Sequence, residues 1–152
     1  MKTTLILFAL LATACGPSFK ATTQPSFVEI DNKYDDYDYR ATTADGLVIG
    51  VREIVHDPKG EEAFWLQAIK NRMRDSGGYA LTESVPVQSG DGVKGTQLRF
   101  GHDEDEGKPY LYNVTLFVTP KKLILVEAGG SKDQMKEHQV EIDRVISSLQ
   151  VN

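Results

Sequence analysis

Apolar and polar positions change period several times along the chain, and each change marks an element. Tyr37, Tyr39 and Ala41 alternate with Asp38 and Arg40, and Leu47, Ile49 and Val51 alternate beyond Asp45-Gly46. This is the pattern of two half-buried strands joined by a hairpin turn. From Glu61 to Asp75 the period lengthens, and Phe64, Trp65, Ala68, Ile69 and Met73 fall on one helical stripe that Gly77-Gly78 should end. Strands are predicted over Tyr79 to Val87, Val93 to Phe100, Tyr110 to Thr119 and Leu123 to Ala128, with turns at Ser89-Gly90-Asp91-Gly92 and Pro120-Lys121-Lys122. In the Tyr110 strand, Tyr112, Val114, Leu116 and Val118 share one face while Leu111, Thr115 and Phe117 line the other, so it should be central and covered on both sides. Ser131 and Gln134 form a capping-box pair ahead of a last helix with Met135, His138, Ile142, Val145, Ile146 and Leu149 on its stripe. The sum is an α+β domain, an antiparallel β-sheet of about six strands packed between helices.

The first fifteen residues follow a different rule. Lys2 precedes the apolar run Leu5 to Leu11, and the small residues Ala12, Thr13 and Ala14 lead to Cys15. The run is far short of the roughly 20 residues a spanning helix needs, and the layout is that of a signal peptide. Leu11-Ala12-Thr13-Ala14-Cys15 resembles the bacterial lipobox, with threonine in place of a more usual residue and leucine one place further out. That resemblance implies cleavage after Ala14, a diacylglyceryl thioether on Cys15 and acylation of its new amino group. Two or more acyl chains make membrane residence stable where one does not. Gly16, rather than aspartate, follows the cysteine, which in a cell with two membranes implies the outer one, facing the periplasm. Residues 15–26 are polar and proline-punctuated and read as a flexible tether, which leaves 27–152 as a single globular domain.

Composition narrows the function. The chain is 40% hydrophobic and 26% charged, as for an ordinary folded domain, and its formal charge is −5 with no basic run. Such a surface repels phosphate backbones, so nucleic acid is an unsuitable partner. Cys15 is the sole cysteine, so the body carries no internal disulfide and no thiolate metal site.

Candidate chemistry is sparse. His56, His102 and His138 have no metal-ligand spacing and read as surface or boundary residues. The only metal-like material is acidic: Asp31, Asp35, Asp36 and Asp38 among tyrosines, and the run Asp103, Glu104, Asp105, Glu106. The second run fails as a calcium loop, because Gly107 stands where a third oxygen ligand belongs and Val114 where the closing glutamate belongs. Both read as solvated charge. Gly129-Gly130 before the last helix reads as a strand-to-helix turn rather than an anion site. No G-x-S-x-G or S-x-x-K context exists, and no cofactor, metal or catalytic residue is expected.

The order of elements resembles the PsbP-like (Mog-type) domain: the Asp45-Gly46 hairpin, the helix with Trp65, GGYAL at 77–81, DGVKGTQLRF at 91–100, YLYNVTLFV at 110–118, LILVEAGG at 123–130 and a closing helix. The resemblance spans roughly residues 27–151. It implies an antiparallel sheet sandwiched by helices and a non-catalytic binding or assembly role, with no site residues. The expectation is a non-enzymatic lipoprotein of the cell envelope, tethered to the bilayer through Cys15 and acting as a protein-interaction or assembly module. The alternative is a small-ligand or cation carrier.

Overall fold

The computed structural model describes residues 17–31, 36–103 and 107–152. Among these described residues, one antiparallel sheet of seven strands runs in the order β1-β2-β3-β7-β6-β5-β4. The strands are β1 (Phe27–Glu29), β2 (Tyr39–Thr43), β3 (Val48–Val55), β4 (Ala80–Gln88), β5 (Lys94–Asp103), β6 (Pro109–Val118) and β7 (Lys122–Ser131). Helix α1 (Glu62–Gly77) joins β3 to β4, and α2 (Lys132–Glu137) and α3 (Gln139–Ser148) follow β7. The expected α+β class is observed, with one strand more than expected. The extra strand is β1, three residues at the sheet edge, too short to show a period.

Period-two alternation divides the core between the two faces. Ile49, Val51, Ile124, Val126 and Phe117 point to the face covered by α2 and α3, where Met135, Ile142, Val145 and Ile146 meet them. Leu123, Leu125, Val114, Leu116, Leu98 and Phe100 point to the opposite face, under α1. The β6 strand is central and covered on both sides as its sequence requires. The turn chemistry also holds: Gly46 has φ +97°, and Gly78 (φ +66°) ends α1, its N–H donating to Arg74 O while Tyr79 N–H donates to Met73 O. The Ser131–Gln134 capping box forms, but the terminal helix is broken in two at His138.

Two expectations are corrected here. Residues 15–26 do not all form a loose tether. Phe19 is buried in the core with Phe27 and Val151, Lys20 pairs with Gln150, and the Ser18 N–H donates to Glu53 Oε2 at 2.7 Å. A phenylalanine among polar residues gains more by burial than the chain loses by ordering. Nor do Gly129 and Gly130 turn the chain. Both lie inside β7, opposite Tyr112 and Leu111 of β6. Among the described residues no helix is long and apolar enough to cross a membrane.

Candidate functional site

Helix α1 sits over its face of the sheet without burying a single residue. Its start is fixed from below by His56. The His56 Nδ1 lies 2.8 Å from Thr119 O, and Nε2 lies 3.0 Å from Gly60 N and 3.2 Å from Trp65 Nε1. With the proton on Nδ1 donated to Thr119, Nε2 accepts from both N–H groups and pins the first turn of the helix. His56 is therefore a buried structural residue, not the surface or boundary residue expected. The same seating turns Phe64 outward, 55% exposed and edge-on to Trp65, so it leaves the apolar stripe its spacing assigned it to.

Between α1 and the sheet lies a cleft of about 350 Å³. Trp65, Ala68, Ile69 and Met73 form its roof, Leu116, Leu123 and Leu125 its floor, and Ile54 and Arg72 stand at its margins. Its floor also carries a charged pair. Glu127 follows Leu123 and Leu125 on the same face of β7 and is only 7% exposed. Arg52 of β3 meets it: Nη2 donates to Oε1 at 2.9 Å, and Nε stands 2.8 Å from Oε2 in an ion-pair contact not aligned as a hydrogen bond. The Tyr112 hydroxyl donates to the same Oε1 at 3.2 Å. Tyr37 lies beneath the Arg52 guanidinium, 5.3 Å from its carbon to the ring centre.

Two glycines make this tyrosine shelf possible. A Cβ on Gly50 would come within 2.6 Å of Tyr37 Cδ1, and one on Gly129 within 2.8 Å of Tyr112 Cδ2. Beyond the Arg52–Glu127 pair the shelf borders a second hollow of about 220 Å³, lined by Tyr37, Tyr110, Tyr112 and Glu127. Burial, then the adjacent Glu127 carboxylate, raises the Tyr112 phenol far above its ordinary range. Burial, then Glu127, raises Tyr37 as well. Both hydroxyls thus remain donors, and the arrangement suits recognition of a partly polar, partly apolar surface.

Of the sequence candidates, Asp103 ends β5 opposite Pro109, while Glu104, Asp105 and Glu106 lie outside the described residues, as does Cys15. Asp31, Asp36 and Asp38 are described; Asp35 is not. Asp38 Oδ2 accepts from Glu53 N–H at 2.8 Å. His102 packs its ring against Tyr79, and His138 packs against Phe27 and sets Nε2 3.1 Å from Asp45 Oδ1. Asp45, Glu137 and His138 place one ligand atom each within 4.8 Å of one another. Their positions, 92 and 93 residues apart, hide that grouping from any spacing rule. The cleft pair also escaped sequence reasoning, although a glutamate interrupting the Leu123–Ala128 run was its signal.

No family model matches this chain, and no curated protein matches it. Solved structures do. Cyanobacterial PsbP (CyanoP) from Synechocystis sp. PCC 6803 has a TM-score of 0.58 at 17% identity, covering 89% of this chain and 87% of its own. LpqN of Mycobacterium tuberculosis, described as involved in cell envelope biogenesis, has a TM-score of 0.57 at 12% identity, covering 87% and 83%. PA94 of Pseudomonas aeruginosa, of unknown function, has a TM-score of 0.52 at 8% identity, covering 88% and 82%. The expected PsbP-like fold is thereby observed, and at these identities the likeness extends to the fold alone.

Proposed function

We propose that this protein is a lipid-anchored, non-catalytic module of the cell envelope that holds a protein partner on the α1 face of its sheet. The observation that carries the reading is the seat of α1, a helix with no buried residue above an apolar cleft. A helix held by so few buried contacts shifts at low cost and can admit partner side chains. The lipobox-like leader supports attachment through Cys15, and the fold shared with an envelope-biogenesis protein supports the compartment. In a two-membrane cell, Gly16 favours the outer membrane and a domain facing the periplasm. The Glu127 carboxylate is taken up by Arg52 and the Tyr112 hydroxyl, which supports binding over catalysis.

The test is site-specific photo-cross-linking in cells. A cross-linker at Ala68, an exposed position that lines the cleft, should give one reproducible protein adduct, and a cross-linker at Val140 on α3 should not. Ala68→Trp elsewhere in the cleft roof should abolish an adduct formed from Arg72. No reproducible adduct from either cleft position refutes the reading. Cys15→Ser should release the domain from membranes.

The second reading, a small-ligand carrier, is favoured by the cleft volume, which falls within the roughly 300–1,000 Å³ of ligand pockets. Native mass spectrometry separates the two. A stoichiometric copurifying small molecule, lost in Ala68→Trp, moves the conclusion to the carrier.

A further inference from the structure

We infer that the end of the domain formed by Ile54, Val55 and Phe64 rests directly on the lipid bilayer, an orientation that rests on the proposed anchor at Cys15. Ser18 donates its N–H to Glu53, Phe19 is buried, and Lys20 pairs with Gln150, so the chain enters the domain at Ser18. Cys15 precedes Ser18 by three residues. An extended chain spans at most about 3.6 Å per residue, so a lipid on Cys15 lies within about 11 Å of Ser18. The head-group region of one leaflet is itself roughly 5–8 Å deep. The Glu53 end of β3 is therefore held at head-group level.

That end presents apolar side chains to solvent. Among the described residues six large apolar side chains are exposed, and three of them are here: Ile54 at 41%, Val55 at 62% and Phe64 at 55%. Val55 ends β3 opposite Lys122, and the following loop is tied to the β6–β7 turn by His56 N–H donating to Lys121 O and by Lys59 bonding the Pro120 carbonyl. Phe64 stands one turn into α1 from this loop, against Trp65. Charge does not oppose the contact. Lys122 is paired with Glu53, and the chain from Val55 to Phe64 carries Lys59 beside Asp57, Glu61 and Glu62, the last held by the Thr96 hydroxyl, with Lys121 in the adjoining β6–β7 turn. This end carries both signs of charge side by side, which matches a zwitterionic surface entered by apolar side chains. Three such side chains bind weakly alone, but the anchor supplies the high local concentration that makes a weak contact persist. The Asp45-Gly46 turn and the start of α3 lie at the far end of β3, away from the lipid.

The experiment uses the full, lipid-modified protein in phosphatidylcholine vesicles carrying a quencher on the acyl chain. A fluorescent label is placed on Val55→Cys, Phe64→Cys or Val140→Cys; the thioether leaves Cys15 unreactive. Labels at Val55 and Phe64 should be quenched several-fold more strongly than the label at Val140. Equal quenching at all three, with the protein floating alongside the vesicles, overturns the orientation and leaves the anchor standing. Failure to float overturns the anchor and the orientation together.

Discussion

The ring of Tyr37 lies across the bare α-carbon of Gly50, so close that a Cβ there would stand 2.6 Å from Cδ1 and 2.7 Å from Cε1. Tyr37 in turn supports Arg52 from below. Gly50→Ala should push the ring off the sheet and cost about 1–3 kcal/mol through overpacking. Urea denaturation measures the loss, and an unchanged midpoint would show that Tyr37 moves aside freely.

The Arg52–Glu127 pair gives a sharper outcome. Glu127→Gln leaves a partly buried guanidinium without its counter-charge. The cost should be about 2–3 kcal/mol, below the range for wholly buried pairs because Arg52 still reaches water. The double variant Arg52→Met with Glu127→Leu should be more stable than Glu127→Gln alone, since no charge is then stranded. Chemical denaturation of both proteins tests the ordering.

Tyr112 sets an alkaline limit. Its folded phenol, raised by burial and by Glu127, stays protonated above pH 10, where an unfolded tyrosine ionises. A group with a raised folded pKa contributes stability that is complete below the unfolded value and lost as pH rises beyond it. Stability should therefore fall above about pH 10, less steeply in Tyr112→Phe. Absorbance titration at 295 nm follows the ionisation directly; a Tyr112 phenolate in the folded protein would contradict the assignment.

Asp91 works at the opposite limit. Burial raises its carboxyl, but the Ser89 hydroxyl and the N–H groups of Asn152 and Val151 outweigh that and hold it below the ordinary value. A lowered folded pKa contributes stability above the unfolded value that is lost as pH falls through the folded one. Asp91→Ala should lower Tm at neutral pH, by an amount reflecting about 1 kcal/mol after solvent screening. The gap from the parent protein should close as pH falls below about 3. A gap that persists in acid would assign the loss to packing.

Much of this architecture is legible because the strands obey a two-residue period. Tyr112, Val114, Leu116 and Val118 declare one face of β6 by themselves, and Gly78 declares the end of α1 by its position after the stripe. What stayed hidden depends on neighbours distant in sequence. Gly129 looks like a turn residue until Tyr112 is laid across it from the next strand. Glu127 looks like an accident in an apolar run until Arg52, 75 residues earlier, is brought beside it. Phe19 looks like part of a linker until Leu149 and Val151 close over the same core.

Phe19 also offers a test of where the folded body begins. Phe19→Ala removes a buried aromatic and should cost about 3 kcal/mol. A cost near zero in thermal denaturation would return these residues to the linker.

The pairing of Lys20 with Gln150 has a consequence for how the molecule is made. Phe19 and Lys20 are made long before their partners around Gln150, so the hydrophobic interior cannot close until those partners have been made. Leu149 and Val151, both enclosed there, reinforce the delay. On the export route proposed above, a polypeptide that stays open until Gln150 emerges is one that a translocation channel can still thread.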